Sequence, residues 1–236
     1  MRPYTLLARF YDPATGDRSE MAAFIRRLIA RHHPEARTLF ELACGTGEIL
    51  KLLSPDYDVA GLDRSPQMLA IARRKLPGIP LFRQDMVAFD LDRRFDVILC
   101  VYDSINHVLR FSDWKKIFRR AAAHLAGNGL FIFDINTIAK FERLCRTPPV
   151  VHRFDGGALT MTVAKIGRGM TNWRIQIERA SGRGRRRFEE NIKEASFPAA
   201  TIRAALAKDF ARIKVIDPLN SRPSIRSDRL YFICKR

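Results

Sequence analysis

Met21, Phe24, Ile25, Leu28 and Ile29 recur at i, i+3, i+4, i+7 and i+8, with Arg26, Arg27 and Arg31 off that stripe. This spacing marks one face of an α-helix and predicts an amphipathic helix over 17–33 that packs beside a sheet. From there to residue 135, short apolar runs alternate with helical periods. They predict strands over 38–43, 57–62, 79–83, 95–101 and 129–135, and helices over 47–54, 66–75 and 112–125. Such alternation requires parallel strands joined by right-handed crossovers, with a ligand crevice at their carboxyl ends. Glu41 to Gly47, Asp63, Asp85 and Asp103 all fall at those ends.

The rhythm changes after Thr137. A short helical piece over 138–145 gives way to Pro148-Pro149 and then to alternating segments, Leu159 to Ile166 and Trp173 to Glu178, with a turn at Gly167-Arg-Gly169. A third strand over 186–192 follows a turn at Gly182 and Gly184. A helix over 198–210 and strands over 212–217 and 229–234 complete the chain, which shows no internal repeat. The expected class is α/β, a doubly wound Rossmann-like sheet with an antiparallel insertion.

With 236 residues, 47% of them hydrophobic, the chain can bury a full core as one domain with an insertion. The longest clearly apolar run, Val97 to Tyr102, is far short of a membrane span. Residues 1–10 lack the apolar core of a signal peptide, so a cytoplasmic protein is expected. Cys44, Cys100, Cys145 and Cys234 show neither C-x-x-C spacing nor a histidine partner pattern, so neither a metal nor a disulfide framework is expected. Cys44 and Cys100 read as small apolar fillers.

The formal charge of +17 changes the picture, because it suits polyanions as well as solubility. Residues 1–140 hold 21 Lys/Arg against 16 Asp/Glu, whereas residues 141–236 hold 21 against 9. Much of that excess lies at Arg183, Arg185, Arg186 and Arg187, which read as a solvated hairpin tip, a polyanion contact or part of the site's mouth. Glu189, Glu190 and Glu194 are near enough in sequence to offset part of them. Neither a recognisable RNA module nor aromatic residues spaced for base stacking accompany the charge, so nucleic acid is not the favoured partner.

The candidate chemistry centres on Thr38-Leu-Phe-Glu-Leu-Ala-Cys-Gly-Thr-Gly-Glu-Ile-Leu50, a buried strand entering a glycine loop and a helix. Gly45 and Gly47 let a ligand approach the main chain, and the helix beyond offers unpaired N–H groups. Asp63, ending the next strand, is placed to accept both hydroxyls of a ribose. Glu41 disfavours a pyrophosphate and suits the ammonium of an amino-acid moiety. Reading G-x-G-x-x-G from Gly45 puts Leu50 at the third glycine, which weakens a dinucleotide assignment. Together these residues point to an adenosyl-type cofactor.

Glu41-Leu-Ala-Cys-Gly-Thr-Gly47 resembles the first motif of the class I S-adenosylmethionine-dependent methyltransferases, with Ala43 at that family's first glycine. Val59 to Lys75 resembles the second motif, Arg83-Gln-Asp-Met86 the third and Phe95 to His107 the fourth. Gly129 to Thr137 resembles the next strand and its exit. The resemblance implies S-adenosylmethionine as cofactor, with Glu41, Ala43, Cys44, Gly45, Thr46 and Gly47 around its amino-acid end and Asp63 and Arg64 by the ribose. It implies Met68, Asp85 and Met86 near the adenine, and Val101 and Tyr102 at the mouth. It further implies an antiparallel seventh strand and an inserted β cap over the substrate, so that 1–137 with 198–236 form the cofactor domain and 138–197 the cap. Tyr11 resembles the family's N-terminal tyrosine that closes over the methionine end.

Methyl transfer from a sulfonium needs alignment above all, and a general base where the acceptor is an ammonium or a hydroxyl. Asp103 and His107, i and i+4, share a face if their loop opens into a helical turn; the alternatives are a helix N-cap for Asp103 and plain packing for His107. Asn106 reads as a substrate-orienting amide or a turn stabiliser, and His152 and Arg153 as contacts for an acidic substrate or solvated groups. The expectation is a methyltransferase acting on a small polar acceptor at nitrogen or oxygen. Alternatives are methylation of RNA or protein, an NAD-dependent oxidoreductase, and a non-catalytic nucleoside-binding protein. Monomer and homodimer both stay open.

Overall fold

In the computed structural model, which describes residues 8, 11–154, 157–181, 184–220 and 222–236, two sheets form. The reading of residues 1–10 as a segment without a signal sequence, the turn at Gly182 and the side chain of Arg183 lie outside the described residues. Through residue 144 the elements are α1 (Tyr11–Thr15), α2 (Ser19–His32), β1 (Thr38–Leu42), α3 (Glu48–Leu53), β2 (Asp58–Leu62), α4 (Pro66–Lys75), β3 (Leu81–Phe82), β4 (Phe95–Cys100), α5 (Phe111–Ala123), β5 (Leu125–Asn136) and α6 (Ile138–Leu144). Then follow β6 (Val150–Phe154), β7 (Gly157–Gly167), β8 (Met170–Ser181), β9 (Gly184–Ala195), α7 (Ala199–Leu206), β10 (Arg212–Ile216) and β11 (Arg229–Lys235).

The larger sheet runs β10-β11-β5-β4-β1-β2-β3, with β11 antiparallel to both neighbours. Buried side chains alternate between its faces because strand side chains alternate. Leu39, Val97, Leu99 and Ile132 pack with α2, α3 and α4, while Phe40, Ile98, Cys100 and Phe133 pack with α5 and α7. Both faces are covered, which is why these strands read as nearly continuous apolar runs. The α2 stripe behaves as expected, with Ile25, Leu28 and Ile29 buried.

The second sheet, β6-β7-β8-β9, is wholly antiparallel. One face gathers Leu159, Ile175, Ile177 and Ile192, against which Tyr11, Trp173 and Phe188 pack. β6 was not foreseen, because Val150, Val151, His152 and Arg153 are all exposed and carry no alternation. α1 was not foreseen either, since five residues are too few to show a helical period. No described helix is long and apolar enough to cross a membrane.

The arginine run, expected to be offset in part by Glu189, Glu190 and Glu194, also finds a different glutamate. Glu189 binds Arg174 and Gln176, whereas Glu190 and Glu194 are buried on the inward face. Arg185 and Arg187 instead lie near Glu178, at 3.9 and 3.8 Å.

Candidate active site

Where β1 ends, the chain winds through positive φ at Ala43, Gly45 and Gly47 (54°, 55° and 79°). The two glycines serve different ends. A Cβ on Gly45 would meet no atom of the described residues within 4 Å, whereas one on Gly47 would strike Leu76 Cδ1 at 2.7 Å. Gly45 therefore keeps a cradle clear, and Gly47 lets α4 pack against the loop. Asp63 clamps this loop from the adjacent strand, its Oδ2 accepting from the Gly45 N–H at 2.9 Å and its Oδ1 from the Ser65 N–H at 2.7 Å. Burial raises the Asp63 carboxyl above its ordinary value, and these two backbone donors oppose the rise.

Glu41 is only 4% exposed, and its Oε2 is buried with no hydrogen-bond partner. Burial pushes its pKa to about 8, with Arg18 pulling the other way. Arg18, itself buried, lies with its guanidinium 4.3 Å from the Tyr102 ring centroid and 5.0 Å from that of Tyr11. A buried carboxyl oxygen without a hydrogen-bond partner among the described residues, an adjacent guanidinium and the cradle over Gly45 together suit the ammonium and carboxylate of an amino-acid moiety.

A cavity of about 450 Å³ runs on from Ala43 and Asp63, past Asp85 and Met86, to His107 and the edge of β9 at Lys193. Arg64 lines it too. Asp85 is exposed, and its Oδ1 accepts from the Val87 N–H at 2.9 Å. Cys44, Met68 and Val101 are buried in packing and do not line this cavity. Thr46 is also buried, and its hydroxyl donates to Asp12 of α1 at 2.6 Å, which fastens that helix over the loop.

A second group of charges gathers beyond β4 and β5. Arg229, from β11, donates to Asp103 at 2.6 Å and also to Asp134, and Lys140 donates to Asn136 at 2.7 Å. Burial alone would raise the Asp103 carboxyl, but Arg229, then Lys140 and His107, hold it below its ordinary value. Asp103 is the N-cap residue of the 3-10 turn Ser104–His107 at φ 50°, but its side chain makes no capping hydrogen bond and its carboxylate pairs with Arg229 instead. Burial holds the His107 imidazole below its ordinary pKa despite Asp103 beside it, so it is neutral near pH 7. Ligand-type atoms of Asp103, His107 and Glu194 lie within 4.8 Å of one another. Glu194 comes from β9, is 4% exposed, and has its pKa pushed to about 8 by burial and then by Asp103.

Asn106 corrects an expectation. Its amide donates to the Asn136 and Ala195 carbonyls at 3.1 and 2.8 Å and accepts from the Asn136 N–H at 3.0 Å, so it is a fully buried clasp with nothing left for substrate. His152 and Arg153 are exposed on the edge strand β6 and are not brought to the cavity. Tyr11 joins the apolar face of the second sheet, with Arg18 over its ring. Arg18, Lys140, Glu194 and Arg229 were missed as site residues. Each sits in an ordinary charged segment, and only the register of β9 and β11 turns Glu194 and Arg229 inward.

Residues 39–129 match the family of the methyltransferase domain. Over 114 residues the chain is 39% identical to a dTDP-3-amino-3,6-dideoxy-alpha-D-glucopyranose N,N-dimethyltransferase of Streptomyces fradiae, covering 48% of this chain and 45% of that one. The chain spans about half the length of the curated relatives it matches first. Among solved structures, an S-adenosylmethionine-dependent methyltransferase from Clostridium acetobutylicum superposes with a TM-score of 0.86 at 25% identity, over 99% of both chains. A sugar N-methyltransferase from Streptoalloteichus does so at 0.82 and 28% identity, over 98% of this chain and 93% of that one.

Proposed function

We propose that this chain, whose fold and domain are those of the class I S-adenosylmethionine-dependent methyltransferases, methylates the amine nitrogen of a small polar acceptor, an amino sugar being the class its relatives suggest. The observation that carries this reading is the convergence of a neutral His107, the Asp103 carboxylate and Glu194 beside the cofactor cradle. The Asp103 carboxylate attracts an ammonium, the unprotonated His107 can take its proton and Glu194 can ionise to offset its charge, whereas a hydroxyl acceptor needs no such ring of acids.

S-adenosylmethionine supplies an electrophilic methyl on a sulfonium, whose sulfur departs as a neutral thioether when the acceptor nitrogen forms the new C–N bond. Glu41 and Arg18 would hold its amino-acid ends, and Asp63 its ribose, while the bare Gly45 backbone admits it. His107 would take the acceptor's proton on its imidazole, leaving the acceptor nitrogen's lone pair free, and pass it to solvent once the product leaves. Arg229 holds Asp103 ionised and in place. The apolar face of the second sheet closes over the acceptor and excludes water. Holding two reactants in line can contribute about 7–11 kcal/mol, so alignment is the larger part of the catalysis and the base the smaller.

The same three groups are of metal-ligating type, but Arg229 already satisfies Asp103 and Lys140 lies beside it, and these cations oppose a divalent ion more strongly than a singly charged ammonium. The reading is tested by calorimetric binding of S-adenosylhomocysteine and NAD, then turnover of a panel of amino sugars and their hydroxyl analogues followed by mass spectrometry. Binding of S-adenosylhomocysteine and methylation of the amines alone are expected. Saturable NAD binding without the nucleoside, or methylation of hydroxyls in preference, would sink it.

A further inference from the structure

At the other end of the larger sheet, α2 stops against β10 and β11. There a concavity of about 380 Å³ is ringed by Arg31, His32, Arg212, Lys214 and Lys235 over an apolar floor that includes Leu130 and Ile233. Strand register sets Arg212 directly across from Lys235, with Lys214 two residues along on the same face. Like charges opposed across a strand pair repel. Among the described residues, no carboxylate is ion-paired with Arg31, Arg212, Lys214 or Lys235. Lys235 donates to the His32 carbonyl at 3.2 Å, and the His32 Nε2 is buried with no hydrogen-bond partner.

Lysines on an edge strand commonly guard against edge-to-edge pairing. That role accounts for Lys214 on β10. It does not account for basic groups converging from three elements on one hollow. We propose that this hollow is an anion site, separate from the methyl-transfer cleft, which takes a small molecule carrying two or more linked phosphate groups. A single phosphate dianion would leave half of the charge of Arg31, Arg212, Lys214 and Lys235 unbalanced. A concave hollow of this volume suits a free small molecule better than the extended backbone of a polymer. The proposal is independent of the reaction assigned to the cleft.

His32 is a built-in reporter. Burial, then Lys214, Arg31 and Lys235, hold its pKa below the ordinary value. The groups around it are Arg31 on its own helix, Arg212 and Lys214 on β10 and Lys235 on β11, while β5 contributes only Leu130. A bound anion reverses the local field and raises the His32 pKa, because an opposite charge favours the protonated ring.

The test is calorimetric titration of the full chain with inorganic pyrophosphate and tripolyphosphate at physiological salt, with and without S-adenosylhomocysteine. Saturable binding indifferent to the nucleoside is expected. It should be weakened about tenfold or more in Lys214→Glu and Arg212→Glu, with melting temperature and nucleoside affinity kept as checks of folding. The His32 ring protons should titrate at higher pH with ligand bound. Absence of saturable binding at millimolar pyrophosphate, equal binding by both variants, or displacement by S-adenosylhomocysteine would overturn the site. Displacement of pyrophosphate by a short single-stranded RNA would assign the phosphates to a polymer and overturn the small-molecule assignment.

Discussion

At Ala43, Tyr102 and Asp103 the backbone lies in the left-handed region, with φ of 54°, 56° and 50°. A Cβ there costs about 1–2 kcal/mol, and the three strained residues border the cradle, as strain at functional sites tends to do. Ala43→Gly removes that strain but frees the unfolded chain by about 0.4–1 kcal/mol, so denaturant unfolding should show a net gain of up to about 1.6 kcal/mol. Ala43→Val should instead lose stability, because a β-branched side chain tolerates this region least. Glu194 carries a different prediction. With its pKa near 8 in the free site, it would, on the proposed amine reading, ionise when an acceptor ammonium arrives, which glutamine cannot do. Glu194→Gln should therefore lower kcat/KM for amine about tenfold or more, with cofactor affinity unchanged by calorimetry. Equal kinetics would remove Glu194 from the acceptor site.

Among elements, the link between the two sheets rests on few contacts of high value. The Asn106 amide joins the turn after β4 to the end of β5 and to Ala195 at the end of β9, and Ser196 adds a bond to the Asn136 carbonyl at 2.7 Å. Asn106→Ala leaves the Asn136 N–H and the Ala195 carbonyl without these partners, at about 1–3 kcal/mol for each buried group. A fall in melting temperature of several degrees is expected, with faster hydrogen exchange in β9 than in β1. Exchange that rises equally in both strands would mean that Asn106 does not tie the second sheet in particular. Most elements were legible beforehand because both faces of the larger sheet are covered, so their apolar runs are long and their helical stripes wide. β6 and α1 were not, one being an exposed edge and the other too short to show a period. Asn106 read as a possible substrate contact because an amide after a strand looks the same whether its partners are solvent, substrate or a strand ninety residues away.

For the molecule as a whole, buried carboxyls set the response to pH. Glu41 and Glu194 have pKa values raised to about 8, above the ordinary 4.5. Folding thus favours their protonated forms, and this contribution is lost as pH rises toward and through 8. His107 and His32 are shifted down, so they add stability as pH climbs to about 6.5 and change little beyond it. The melting temperature should consequently fall between about pH 6.5 and 8.5. Cofactor binding at pH 7 should release up to one proton from Glu41, read as a dependence of the binding enthalpy on the ionisation enthalpy of the buffer. Glu41→Gln should abolish that dependence, and an unchanged slope would deny Glu41 the ammonium. The glycine loop, the acid before it, the aspartate that ends the next strand and the alternation of strands with helices were readable from residues alone, since local period and backbone freedom are properties of short segments. Which charges meet was not. Arg18 beside Glu41, Arg229 on Asp103 and Glu194 near His107 arise from segments up to 126 residues apart, and whether a charged side chain turns to water or inward depends on strand register and on what covers it, which no local pattern encodes.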